Sequence, residues 1–109
     1  MINKMPVFLR YIRKILLLKK EEAEKMKEEF FNTCDYIYNN PELGNNEFKS
    51  SSRIIDLLID NGFKVEKGIV GRATAFKAVF DSKKPGPCIA YLCEYDALPE
   101  IGHGCGHNV

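Results

Sequence analysis

Net charge is nearly absent from this chain. Its 109 residues carry 16 Lys or Arg against 15 Asp or Glu, a formal net charge of +1. So balanced a chain has no global field for a polyanion, and composition argues against nucleic acid as a partner. Long apolar runs are missing too. Near the N-terminus, Val7–Leu9 and Ile15–Leu18 are interrupted by Arg10, Arg13 and Lys14. Nothing there is long enough to span a bilayer. Nor does the arrangement suit a secretory signal, whose charges come first and whose apolar stretch is unbroken. Residues 1–20 therefore read as a basic N-terminal extension, either irregular or helical, with a basic interfacial helix as the other possibility. Cysteine is sparse: Cys34, Cys88, Cys93 and Cys105 do not have the spacing of a disulfide scaffold. If Cys88–Cys93 is a strand, the odd separation sends its two thiols to opposite faces, where they cannot bond. The cysteines read as reduced, Cys34, Cys88 and Cys93 as core thiols, and the compartment as cytoplasmic. No internal repeat or low-complexity tract is present.

What is there suits at most one small domain. At 45% hydrophobic and 11% aromatic, the chain can build a core, which disfavours a disordered or collagen-like reading. Its charge is polarised. Residues 1–20 hold six of the basic residues and none of the acids, whereas Cys88–Val109 contains Glu94, Asp96 and Glu100 and no Lys or Arg. Chemistry that seeks a cation belongs at the C-terminal end.

Apolar residues Ala23, Met26, Phe30, Cys34 and Ile37 recur at three- and four-residue steps, predicting an amphipathic helix over 21–39. Asn40-Pro41 ends it, because the residue before proline is pushed out of the helical region. Pro41–Asn46 reads as a loop. A second helix is expected over 47–61, burying Phe48, Ile55, Leu58 and Ile54, with Gly62 at its C-terminal cap. Phe63–Glu66 alternates as a short strand, and Ala73–Phe80 follows as another. After the turn-forming Asp81–Pro87, Cys88–Cys93 has the near-continuous apolar pattern of a strand covered on both faces. Two helices followed by two to three strands open an α/β domain. Too few elements follow to cover a central strand, so the chain reads as an incomplete domain.

Chemistry concentrates in the tail, Glu94-Tyr95-Asp96-Ala97-Leu98-Pro99-Glu100-Ile101-Gly102-His103-Gly104-Cys105-Gly106-His107-Asn108. Glycines alternate with His103, Cys105 and His107, and an extended backbone would turn these three side chains one way. Thiolate and imidazole suit zinc. Each residue keeps two readings. His107 is a metal ligand or a loop-capping histidine, and Cys105 a ligand or a metal-free reactive thiol. His103 is a direct ligand or a group that fixes the loop or a ligand. Asp96 belongs to the site or is a turn aspartate, and Glu94 belongs to the site or to a salt bridge.

The segments Asn40-Pro41-Glu42-Leu43-Gly44, Lys84-Pro85-Gly86-Pro87, Glu94-Tyr95-Asp96-Ala97-Leu98-Pro99 and Gly102-His103-Gly104-Cys105-Gly106-His107-Asn108 occur in this order. Together they resemble the dinuclear-metal aminoacylase/carboxypeptidase-type metallopeptidases, and within them the amidohydrolase subgroup of aminobenzoyl-glutamate hydrolase and related dipeptidases. The resemblance covers residues 21–109 and implies a zinc-peptidase-like catalytic domain, of which this is the N-terminal portion. It implies Cys105 and His107 as metal ligands, and Asp96 as a catalytic residue near the metals. His103 and Glu94 would stand behind the ligands, and Asn108 and Glu94 where the subgroup departs from more usual aspartates. Further implications are two divalent ions, zinc first and manganese or cobalt as alternatives, and N-acyl amino acids or small dipeptides as substrates. A homodimer is implied for the full-length enzyme, whose general-base glutamate has no counterpart in residues 1–109. The isolated chain is then expected to be inactive. Two rival readings are a stand-alone metal-binding or thiol-reactive domain, and an interaction module built on residues 1–20.

Overall fold

The computed structural model describes the backbone of residues 7–109 and the side chains of Leu17 and of residues 20–109. The start of the basic extension, residues 1–6, and the side chains of Arg10, Arg13 and Lys14 lie outside the described residues. Two compact units divide the chain, Met1–Asn32 and Thr33–Val109. Helix α1 runs over Val7–Asn39. Among the described residues, no helix is long and apolar enough to cross a membrane.

Within the first unit α1 has little to bury. Ala23 and Phe30, expected on a buried face, are exposed, and Met26 is half-buried. The helical period is present, but the described residues of the unit supply no second element to cover it. An exposed Glu24–Lys27 pair at 3.6 Å and Lys27 over the Phe31 ring at 5.9 Å decorate the surface. Exposed pairs of this kind stabilise weakly.

In the second unit α1 ends as its asparagines dictate. The side-chain amides of Asn39 and Asn40 donate to the carbonyls of Asp35 and Tyr36, at 2.7 and 2.8 Å, occupying acceptors that the helix leaves open. Helix α2, Phe48–Asp60, is capped from a distance. Its flanking residue Glu47 makes no side-chain cap, and the Glu42 carboxylate accepts the N–H groups of Lys49 and Ser50 instead, at 3.0 and 2.8 Å. At the other end Gly62, with φ 84°, donates to Ile59, and Phe63 donates to Leu58. This paired closure uses the glycine as expected. Ile55 is buried on α2, but Phe48 is exposed and Leu58 only half-buried. The face against the hairpin is narrower than the apolar pattern suggested.

Strands β1 (Lys64–Lys67) and β2 (Phe76–Val79) pair antiparallel, with Val65 opposite Ala78 and Glu66 opposite Lys77. Phe63 and Phe80 pack across the open end with their ring centroids 5.3 Å apart and the planes tilted by 48°. A 3-10 turn over Ile69–Gly71 joins the strands, flanked by Gly68 at φ 69°. The architecture is therefore a small α/β one, two helices then two strands.

The third expected strand does not form. Cys88–Cys93 pairs with nothing among the described residues, and Ile89, Tyr91 and Leu92 are 70%, 84% and 102% exposed. Cys88 and Cys93 are exposed thiols, not core ones, whereas Cys34 is half-buried; all four cysteines are free. The reason is physical: an apolar run becomes a strand only where neighbouring strands accept its backbone, and here no neighbour is in reach.

Candidate metal centre

The tail is held by one backbone contact. The Ala97 N–H donates to the Glu42 carbonyl at 2.7 Å, forming a parallel bridge between Leu43 and Ala97. Glu42 thus acts twice: its carboxylate caps α2 and its carbonyl anchors the tail. The Asn40–Gly44 segment, a turn signal in the sequence, couples the first helix, the second helix and the site.

Beyond Ala97 the chain turns repeatedly instead of extending. Leu98 and Gly102 exchange hydrogen bonds of 2.8 and 3.1 Å, Gly106 donates to His103, and Val109 donates to Gly106. Gly102 and Gly106 adopt φ of 67° and 81°, values that glycine reaches at little cost. The expected common face of His103, Cys105 and His107 is therefore not formed: His103 is buried, Cys105 exposed and His107 half-buried. Gly104 is required for another reason, since a Cβ there would lie 2.5 Å from Ile101 Cγ2.

These turns bring His107 back onto the segment that leaves the apolar run. Its Nδ1 lies 2.8 Å from Asp96 Oδ1 and its Nε2 lies 3.2 Å from Glu94 Oε2. One donor atom from each of Glu94, Asp96 and His107 falls within 4.8 Å of the others. Asp96 and His107 are partly buried, and Glu94 is exposed. Cys105 stands outside this grouping. His103 is 6% exposed, with neither ring nitrogen hydrogen-bonded among the described residues.

The donor set suits a divalent cation. A neutral imidazole donates from one nitrogen only, so with Nδ1–H on Asp96 its Nε2 lone pair faces the Glu94 carboxylate. Electron-rich atoms that converge in this way repel unless a proton or a cation lies between them. Imidazole and carboxylate oxygen are ordinary zinc ligands, and an aspartate on the far nitrogen fixes the tautomer of a ligating histidine.

Beside this cluster an open cleft of about 360 Å³ is lined by Gly44, Asn45, Glu47, Arg72, Thr74 and Glu94–Asp96, among others. Its floor is buried and polar. Thr74 Oγ1 donates to Glu47 Oε2 at 2.6 Å, and the Tyr95 hydroxyl donates to the Thr74 carbonyl. Burial, and then the negative Glu47 carboxylate, push the Tyr95 phenol above its ordinary pKa. Sequence reading passed over Glu42, Glu47 and Thr74. Glu47 and Thr74 meet only through the fold, and no local pattern announces such a pair.

Three curated relatives frame this geometry. The chain is 33% identical to a p-aminobenzoyl-glutamate hydrolase chain of Escherichia coli (strain K12) over 106 residues, 82% of this chain and 22% of that protein. It is 50% identical to Xaa-Arg dipeptidase of Mus musculus over 44 residues, 36% of this chain and 10% of that one. To thermostable carboxypeptidase 2 of Saccharolobus solfataricus it is 28% identical over 103 residues, 82% of this chain and 26% of that one. No protein-family model matches. The chain spans a quarter or less of the length of the first two relatives and about a quarter of the third. On its motifs and these relatives together, it is similar to the amidohydrolases and peptidases that include aminobenzoyl-glutamate hydrolase and the dipeptidases and carboxypeptidases related to it.

Proposed function

We propose that residues 21–109 supply part of the catalytic domain of a metal-dependent amidohydrolase or dipeptidase. Its substrates would be N-acyl amino acids or small dipeptides, and its setting the cytoplasm. The observation that carries the reading is His107 held between Asp96 and Glu94 at the end of a turn-rich, glycine-spaced tail. His107 would hold the metal, with Cys105 as its companion ligand by family resemblance and Glu94 facing the same ring nitrogen. When bound, a divalent ion, zinc foremost and manganese or cobalt as alternatives, supplies Lewis acidity that activates water and polarises an amide carbonyl. Asp96 keeps the proton of His107 on Nδ1 and so presents Nε2 as a donor atom. His103 stiffens the loop between Gly102 and Gly106 from its buried position. By the family resemblance, the general-base glutamate would lie outside residues 1–109. The 109-residue chain alone is expected to bind metal weakly and hydrolyse nothing, since a catalytic zinc takes about three protein ligands and a water. The longer enzyme would carry two ions and form a homodimer.

The test is the chain extended to the length of its relatives, assayed for zinc- or manganese-dependent release of free amino acid. His107→Ala and Cys105→Ala should each lower turnover by at least about 100-fold, the scale on which loss of a positioned catalytic group is felt. Undiminished turnover in both variants would overturn the assignment. One observation favours the stand-alone metal-binding reading: Glu94, Asp96 and His107 converge from this chain alone. That reading requires tight binding of about one zinc per chain.

A further inference from the structure

We propose that Glu47 and Thr74 are positioning residues for the metal cluster, setting its affinity for a divalent cation by immobilising Tyr95 between its two carboxylates. This rests on the metal reading above and extends it to residues that contact none of the donors' ring or carboxylate atoms.

The argument begins with burial. Glu47 is 9% exposed and Thr74 5% exposed, which is unusual for a carboxylate and a hydroxyl in so small a unit. Burial of this kind is costly unless the groups satisfy each other. They do: Thr74 Oγ1 donates to Glu47 Oε2, and the Glu47 carbonyl accepts the Ser51 N–H at 2.9 Å, which ties the Glu47 backbone to the first turn of α2. Thr74 passes the constraint on. Its carbonyl accepts the Tyr95 hydroxyl, and the Tyr95 ring stacks on Phe76 at 5.9 Å with the planes 25° apart. Tyr95 is thereby held at both its ring and its tip.

Tyr95 stands between Glu94 and Asp96 in the chain, so the direction of its side chain governs theirs. Fixing the Tyr95 hydroxyl on Thr74 and its ring on Phe76 therefore fixes the backbone from which Glu94 and Asp96 reach His107. Gly44 stands between Glu47 and Asp96: a Cβ there would lie 3.9 Å from Glu47 Oε1 and 4.0 Å from Asp96 Oδ2. The series Glu47, Thr74, Tyr95 thus links the start of α2, the entry to β2 and the donor cluster.

The experiment titrates cobalt(II) chloride into the full 109-residue chain, following visible absorbance, with circular dichroism as the check on folding. Thr74→Val removes only the hydroxyl and should weaken cobalt binding about 10-fold or more, the scale of groups that orient metal ligands. Thr74→Ser restores the donor and should bind within about twofold of the unaltered chain on that same scale. Tyr95→Phe should match Thr74→Val, and the double variant should be no weaker than either single one, because both break one series. Folded Thr74→Val with unaltered affinity, alongside His107→Ala that has lost binding, would overturn this inference and leave the metal reading standing. Unaltered binding in His107→Ala would overturn the metal assignment and this inference with it.

Discussion

Glu42 shows how one side chain can serve a helix and a site together. Burial alone would raise its pKa, but the N–H groups of Lys49 and Ser50, the Ser50 hydroxyl and the Lys49 charge outweigh that and hold the carboxyl below the usual glutamate range. A carboxylate favoured in the folded state stabilises the fold above that range, and the stabilisation fades as pH falls through about 4.3 and lower. Glu42→Gln should therefore lower stability at pH 7 by about 1 kcal/mol, the worth of a helix N-terminal cap. Thermal melts should show the gap to the parent closing as the solution is acidified. Little of this was legible. Glu42 reads as a loop residue after Asn40-Pro41, and its partners at 49 and 50 become partners only when the loop folds back. Asp96, His107 and Glu94 were legible as chemistry, through their residue types near an acidic tail. Their grouping without Cys105 was not, because alternation with glycine reads as extended chain while the glycines at 102 and 106 actually turn it.

Among the elements, local signals held and long-range ones did not. The stop at Asn40-Pro41 and the cap at Gly62 depend on residues within a turn of each other, and both stand where the sequence places them. The hairpin was legible as two strands, although β2 begins at Phe76 and not at Ala73. The failure is Cys88–Cys93, where apolar character was visible but the partners that make a strand are absent among the described residues. Contiguous exposed apolar residues beside open backbone promote association between chains. Leu92→Lys should accordingly reduce concentration-dependent self-association in sedimentation velocity and leave the melting temperature unchanged, since Leu92 covers nothing in the second unit. A variant that associates as strongly as the parent would remove this segment from the explanation.

Taken whole, the chain separates its labours along its length. Residues 1–20 carry bases and no acid, and Cys88–Val109 carries both imidazoles, three acids and no base. The α/β class and the family resemblance were legible from four ordered motifs, whereas the two-unit division at Asn32 was not, because the helical period runs through it unbroken. The Leu43–Ala97 bridge has a consequence for the order in which the molecule is made. It joins two points separated by α2, both strands and the loop after them, so its closure confines nearly all the intervening chain and carries a correspondingly large entropy cost. Contacts of such separation form late, after local helices have risen and decayed many times. In pulse-labelled refolding the Ala97 amide should gain protection from exchange after the amides of α2, and a simultaneous gain would contradict that order. A chain still emerging from the ribosome holds its second helix before Asp96 and His107 come together, and for that interval His103, buried in the finished fold, stands open to solvent.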